Sequence, residues 1–153
     1  MTPTPDVSTI RLDDRLCLAL YTASRAMTAR YRPLLSALGL TYPQYLVMVL
    51  LWEEGACTVG QIGSRLRLES STLSPLVKRL EALGLVSRAR DLHDERSVSV
   101  ALTASGRALQ RGSPAVTAAV CESAGLTLPE QAELVGQLRR LADDLQASTG
   151  REL

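Results

Sequence analysis

The chain has 153 residues, enough for one domain of ordinary size with a buried core. With 46% apolar and 22% charged residues it sits in the globular range, which excludes disorder as the default state; with no Phe and one Trp, packing must come from Leu, Val and Ala, a balance that favours helices. The 17 basic residues nearly cancel the 16 acidic ones, so any basic surface for nucleic acid has to be local.

Residues 1–11, rich in Pro and Thr, read as a flexible arm. Asp13 or Asp14 is predicted to cap a long helix with the stripe Leu12, Leu16, Leu20, Ala23, Met27, Tyr31, Leu34 and Leu38, alternating steps of four and three. A stripe of that length suits a helix lying along a partner, or a buried intrachain helix. Gly39 ends it. Thr41 to Gln44 and Thr58 to Gln61 are capping boxes that open a second helix, running to about Glu54, and a short third one. Ser70, Ser71 or Thr72 is predicted to cap a fourth helix that ends at Leu83, with Gly84 beyond it and a late or kinked start imposed by Pro75. From Leu85 the period becomes two: Val86, Arg88 and Arg90 lead out, and Val98, Val100 and Leu102 alternate on the return, which predicts a two-stranded ribbon with a polar tip at Asp91 to Arg96. Thr103 caps a fifth helix, interrupted near Gly112 to Pro114. Thr127 to Glu130, a third capping box, starts a last helix striped by Leu134, Leu138, Leu141 and Leu145.

No run of about 18 apolar residues occurs, and the opening MTPTPDVSTIRLDDR lacks the apolar core of a secretion signal, so a cytoplasmic protein without a membrane partner is expected. Three cysteines, Cys17, Cys57 and Cys121, without a CxxC, suggest neither a disulfide scaffold nor a zinc site. No metal and no cofactor is expected. His93, the lone histidine, sits at the ribbon tip with no triad around it, so the chain does not read as an enzyme.

Helix, short turn, helix and a ribbon with a charged tip is the layout of a winged helix-turn-helix, in which the second helix enters the major groove and the ribbon reaches a neighbouring one. Ser70, Ser71, Thr72 and Ser74 supply hydroxyls and N–H groups at that helix start for phosphates and base edges, with Lys78 and Arg79 on later turns. Arg88 and Arg90 lie on the ribbon. At the tip an acidic side chain such as Asp94 can orient Arg96, and an arginine held there can enter a minor groove and sense its width.

The run LESSTLSPLVKRLEALGLVSRARDLHDERSVSVALTASGRAL resembles the recognition helix, wing and following helix of the MarR family, with a D-x-R-like wing end at Asp94 to Arg96 and the LT-x-x-G-R start of the next helix. The resemblance covers about residues 12 to 145. It implies a mainly α fold with a small β wing: a MarR-type homodimer in which residues 12–40 and 104–153 pair two subunits and residues 41–103 present a winged motif to a pseudo-palindromic operator.

Cys17 falls in the early turns of the first helix, where the positive end of the helix dipole favours a thiolate; Tyr21 lies one turn along the same face, Tyr31 about four turns on, and Tyr42 at the start of the second helix. Spacing alone reads as a small core cysteine among packing tyrosines. However, the order LCLALY, then YRPL and LTYPQY, resembles the organic hydroperoxide regulator group within the MarR family. That resemblance implies Cys17 as the peroxide-reacting thiol, Tyr31 and Tyr42 donating to it from the other subunit, organic hydroperoxides as the signal, and Cys121 as the resolving thiol of an intersubunit disulfide. Along one helix Tyr31 is about 20 Å from Cys17, at 1.5 Å per residue, so an antiparallel partner helix is the natural way to join them. Cys57 has no such match and reads as core. The alternative is a MarR-type repressor released by a small aromatic ligand in the dimer cleft; a thiol peroxidase is disfavoured by the lack of a CxxC or a thioredoxin-like βαβ pattern.

Overall fold

The computed structural model describes residues 7–150, which divide into two compact units, one up to Val116 and one from Thr117 onward. Residues 1–6 of the expected arm lie outside the described residues, and Val7–Thr9 form a single 3-10 turn. A second such turn, Leu12–Asp14, precedes helix α1 (Leu16–Ser36). Asp13 and Asp14 therefore do not cap α1. Backbone bonds from Asp14 N–H to Arg11 and from Arg15 N–H to Leu12 tie them into the turn, and Arg15, extended at φ −80° and ψ 127°, takes the N-cap place without a side-chain bond.

Helices α2 (Tyr42–Glu54) and α3 (Val59–Leu66) start where their capping boxes place them. Thr41 N–H donates to Gln44 Oε1 at 2.9 Å and Thr58 N–H to Gln61 Oε1 at 2.8 Å, while each threonine hydroxyl accepts the N–H of its glutamine. The turn to α4 (Ser70–Ala82) is tight. Leu68 N–H bonds to Gly63 O at 2.9 Å, Arg67 adopts a left-handed φ of 54°, and a Cβ on Gly63 would lie 2.9 Å from Leu68 O, so only glycine fits that approach.

The ribbon has one strand more than its pattern suggested. Strand β1 (Cys57–Thr58), between α2 and α3, joins β2 (Val86–Arg90) and β3 (Val98–Leu102) in an antiparallel sheet of order β1-β3-β2. Cys57 faces Val100, and β2 pairs with β3 from Val86↔Leu102 to Arg90↔Val98. A two-residue strand leaves no alternation to read; long-range pairing alone creates it. Thr103 caps α5 (Ala104–Leu109), and the expected interruption is a 3-10 turn, Gln110–Gly112, before α6 (Ser113–Ser123).

The first unit's core is aliphatic: Leu35, Met48, Leu51, Ile62, Leu73, Leu80 and Val100 are all sealed from solvent. Each contributes about 1.5–3 kcal/mol by burial, and together they lock α2, α3, α4 and the sheet into one body. In the second unit, Thr127 and Glu130 form the third capping box and open α7 (Leu128–Thr149). The Gln131 amide donates to Leu126 O and Cys121 O and fixes the turn from α6. No residue of α7 is buried, and Leu128, Leu134, Val135, Leu138 and Leu145 are exposed. Among the described residues no helix is long and apolar enough to cross a membrane.

Candidate DNA-binding surface and thiol site

Helix α4 is pinned by Leu73, Leu76, Val77 and Leu80, which recur at helical spacing and are buried. The opposite face is thereby presented outward. Ser70, Ser71 and Thr72 are exposed in its first turn, Ser74 is half-buried, and Lys78 and Arg79 are exposed further along. The hydroxyls do not cap the helix as expected. Glu69, extended at φ −73° and ψ 153°, holds the N-cap position, and its carbonyl accepts the N–H groups of Thr72 and Leu73 at 3.1 and 3.0 Å. Nor does Pro75 delay the start, since α4 begins at Ser70 with the proline inside it. The carbonyl to which residue 75 would have donated belongs to Ser71, an exposed residue.

A cleft runs between α4 and the sheet, lined by Ser70, Ser74, Lys78, Arg88, Arg96 and Ser97. The loop at its edge is closed by Asp91 N–H to Ser97 O at 2.9 Å. Asp91 accepts the N–H of His93, and Asp94 accepts the N–H of Arg96 at 3.0 Å and the Ser97 hydroxyl at 3.1 Å. Asp94 thus orders the backbone that carries Arg96; its bonds go to that backbone and to Ser97, where the sequence suggested the guanidinium. Arg90, at the end of β2, is exposed. Arg88 is held by Glu81 of α4 through its Nε and Nη2 and through its backbone N–H. These bonds keep the Glu81 carboxyl below the usual carboxylate range. Sequence reasoning missed Glu81, because no periodicity links a helix position to a strand position across a turn.

The thiol constellation is only partly assembled within one chain. Cys17, the second residue of α1, is exposed. Tyr21, one turn on, is 60% exposed; its hydroxyl accepts from Arg25 Nη1 at 3.3 Å, and the guanidinium lies 5.4 Å from its ring centroid. Tyr31 and Tyr42 stack at 4.7 Å, and Tyr45 joins them, 5.8 Å from Tyr31 and 6.1 Å from Trp52. The tyrosines thus gather at the far end of α1, about 21 Å along its axis from Cys17. Burial raises the Tyr42 pKa, so its hydroxyl stays protonated and able to donate. A small cleft beside it is lined by Thr28, Arg32, Ser36, Leu40, Thr41 and Pro43. Cys57 is buried in β1 as expected, and burial first, then Glu54, pushes its thiol pKa up. Cys121 is half-buried on α6.

A helix-turn-helix pair whose second helix faces a three-stranded wing across a basic cleft defines a winged helix-turn-helix DNA-binding protein. The chain matches the SarA/Rot transcriptional regulator family over residues 29–111. It is 49% identical over 139 residues to the HTH-type transcriptional regulator TtmR of Methylorubrum extorquens, spanning 91% of this chain and 71% of that one. It is 48% identical over 101 residues to the organic hydroperoxide resistance transcriptional regulator of Bacillus subtilis, spanning 66% and 69%. Among solved structures, AbfR of Staphylococcus epidermidis superposes in its reduced, DNA-bound form with a TM-score of 0.73 at 38% identity, covering 88% of this chain and 94% of that chain. Its disulfide form superposes with a TM-score of 0.63 at 39% identity, covering 86% and 93%. The chain belongs to the MarR/SarA family of helix-turn-helix transcriptional regulators, which are not enzymes.

Proposed function

We propose that the chain is a homodimeric repressor that senses organic hydroperoxides through Cys17 and leaves its operator when oxidised. The carrying observation is an exposed thiol at the start of a helix on which Leu16 and Met27, with Leu12 in the turn before it, are exposed apolar residues. A second copy, antiparallel along α1, covers them and brings its Tyr31 and Tyr42 to Cys17; the uncovered stripe of α7 serves the same pairing. Residues 12–40 and 104–153 are then the dimerisation segments.

The chemistry balances without a cofactor. The Cys17 thiolate attacks a peroxide oxygen; an S–O bond forms, the O–O bond breaks, sulfur is oxidised, and the peroxide is reduced to an alcohol that leaves with a proton. The sulfur of Cys121 in the partner subunit then attacks the sulfenic sulfur; the S–S bond forms, the S–O bond breaks, and the hydroxyl leaves with the Cys121 thiol proton as water. The phenol of Tyr42, kept protonated by burial, donates a hydrogen bond to the attacking sulfur. Closing a bond of about 2 Å between two sulfurs moves helices and alters the spacing of the two reading heads. On the operator, Ser70, Ser71, Thr72 and Ser74 meet phosphates and base edges, Lys78 and Arg79 neutralise phosphates, and the wing carries Arg90 and Arg96 to the adjacent groove, with Asp94 setting the loop. Support comes from the name of the Bacillus subtilis relative and from the reduced and disulfide forms of AbfR.

The Cys17→Ser variant is expected to bind operator as the unchanged protein does and to stay bound in cumene hydroperoxide. After one equivalent of peroxide, a non-reducing gel with peptide mapping is expected to show a Cys17–Cys121 crosslink between chains. Release of the Cys17→Ser variant by hydroperoxide would contradict the assignment, as would release by salicylate-like aromatics alone.

A further inference from the structure

The turn from α4 to β2 has three residues, 83–85, and closes by Gly84 N–H to Glu81 O at 2.9 Å and Leu85 N–H to Leu80 O at 3.1 Å, with Gly84 at φ 74°. Strand β2 is an outer strand whose neighbour in the sheet is β3, so N–H groups on its other edge lack a strand partner. Glu81, in the last turn of α4, meets one of them. Its Oε2 accepts the Arg88 N–H at 2.9 Å, and its Oε1 accepts Arg88 Nε at 3.2 Å and Nη2 at 3.0 Å. One carboxylate therefore binds both the backbone and the guanidinium of the same strand residue, a geometry far more directional than a lone surface ion pair. Arg88, so held, lines the cleft that Ser70, Ser74 and Lys78 line from the helix and Arg96 and Ser97 from the wing.

We propose that Glu81 is a positioning residue for operator recognition: it tethers the outer wing strand to the recognition helix at one fixed angle and takes Arg88 out of the set of phosphate-binding cations. The inference rests on the DNA-binding reading of α4 and the wing and is independent of the thiol chemistry. Two reading elements held at one angle fit only duplexes whose grooves match that angle. Without the tether the wing adapts to any duplex, and the freed Arg88 guanidinium adds a contact that carries no sequence information.

The test uses fluorescence anisotropy on the reduced protein with two labelled duplexes, between about 50 and 200 mM salt. One duplex is selected from a random-sequence pool by the unchanged protein, and the other is a shuffled sequence of equal length. Glu81→Ala is expected to lose about tenfold in affinity for the selected duplex, the equivalent of one charge-assisted hydrogen bond, while binding the shuffled duplex as well as before or better. Its log–log salt slope is expected to steepen by about 0.9 as Arg88 becomes a phosphate contact. Arg88→Ala is expected to leave that slope unchanged. Glu81→Gln keeps the shape without the charge and carries the test should the alanine variant fail to fold; about a threefold loss on the selected duplex is expected. Affinity for the selected duplex within the error of the unchanged protein, equal losses on both duplexes, or a slope flattened by about 0.9 in Arg88→Ala would each overturn the proposal while leaving DNA binding itself intact.

Discussion

Gly106→Ala adds a methyl group where the structure has no room for one. Gly106 lies in α5 against the turn that enters β2, and a Cβ there would collide with the Leu85 carbonyl oxygen, 3.0 Å from the carbonyl carbon and 3.3 Å from Leu102 Cδ2. The colliding group is backbone and cannot rotate away. Leu85 O also accepts Thr103 N–H at 3.1 Å, Thr103 Oγ1 donates to Gly84 O at 2.6 Å, and Gly106 O accepts Trp52 Nε1 at 2.9 Å. Carbon contacts need about 3.5–4.0 Å, so α5 must retreat by about 1 Å and at least one of these bonds opens. Overpacking of this kind costs about 2 kcal/mol and the lost bond about 1 more, a destabilisation of about 3 kcal/mol. Urea unfolding at fixed protein concentration, followed by the single tryptophan, is the assay. With an m-value of about 2 kcal/mol/M, the midpoint is expected to fall by about 1.5 M at unchanged m. A midpoint shift below about 0.25 M would refute the reasoning, because it would mean that the turn yields freely.

Thr58→Ala removes one of the reciprocal bonds that start α3, and is expected to cost about 1 kcal/mol and lower the melting temperature by about 3 °C in calorimetry. Cys57 has a folded pKa raised above its ordinary 9.0, so the stability tied to its neutral thiol is fully present below pH 9.0 and is lost as pH climbs through the folded value. The urea midpoint is thus expected to fall in alkali, and less so in Cys57→Ala; equal falls in both would show that another group titrates.

Much of the architecture was legible in local chemistry. Three Thr-to-Gln or Thr-to-Glu boxes marked helix starts to the residue, because the two bonds that make each box lie within four consecutive positions. The Thr103 cap and the change of period from Leu85, one residue ahead of β2, were equally local. The start of α4 was not: three hydroxyl residues in a row, Ser70, Ser71 and Thr72, each suit an N-cap, and the extended conformation of Glu69 placed the cap ahead of all three. Asp13 and Asp14 failed as caps for a similar reason, since a preceding 3-10 turn claimed them.

The sequence by itself determined the helices, the caps at Thr41, Thr58, Thr103 and Thr127, the outward face of α4 and the presence of a wing, since each depends on neighbours three or four positions away or on simple alternation. Only the tertiary structure decided that Cys57 and Thr58 form a third strand, that Tyr31, Tyr42 and Tyr45 share one cluster, and that Glu81 grips Arg88. Those contacts join segments whose separation along the chain bears no relation to a helical or strand period, so the packing of the finished core alone brings them together.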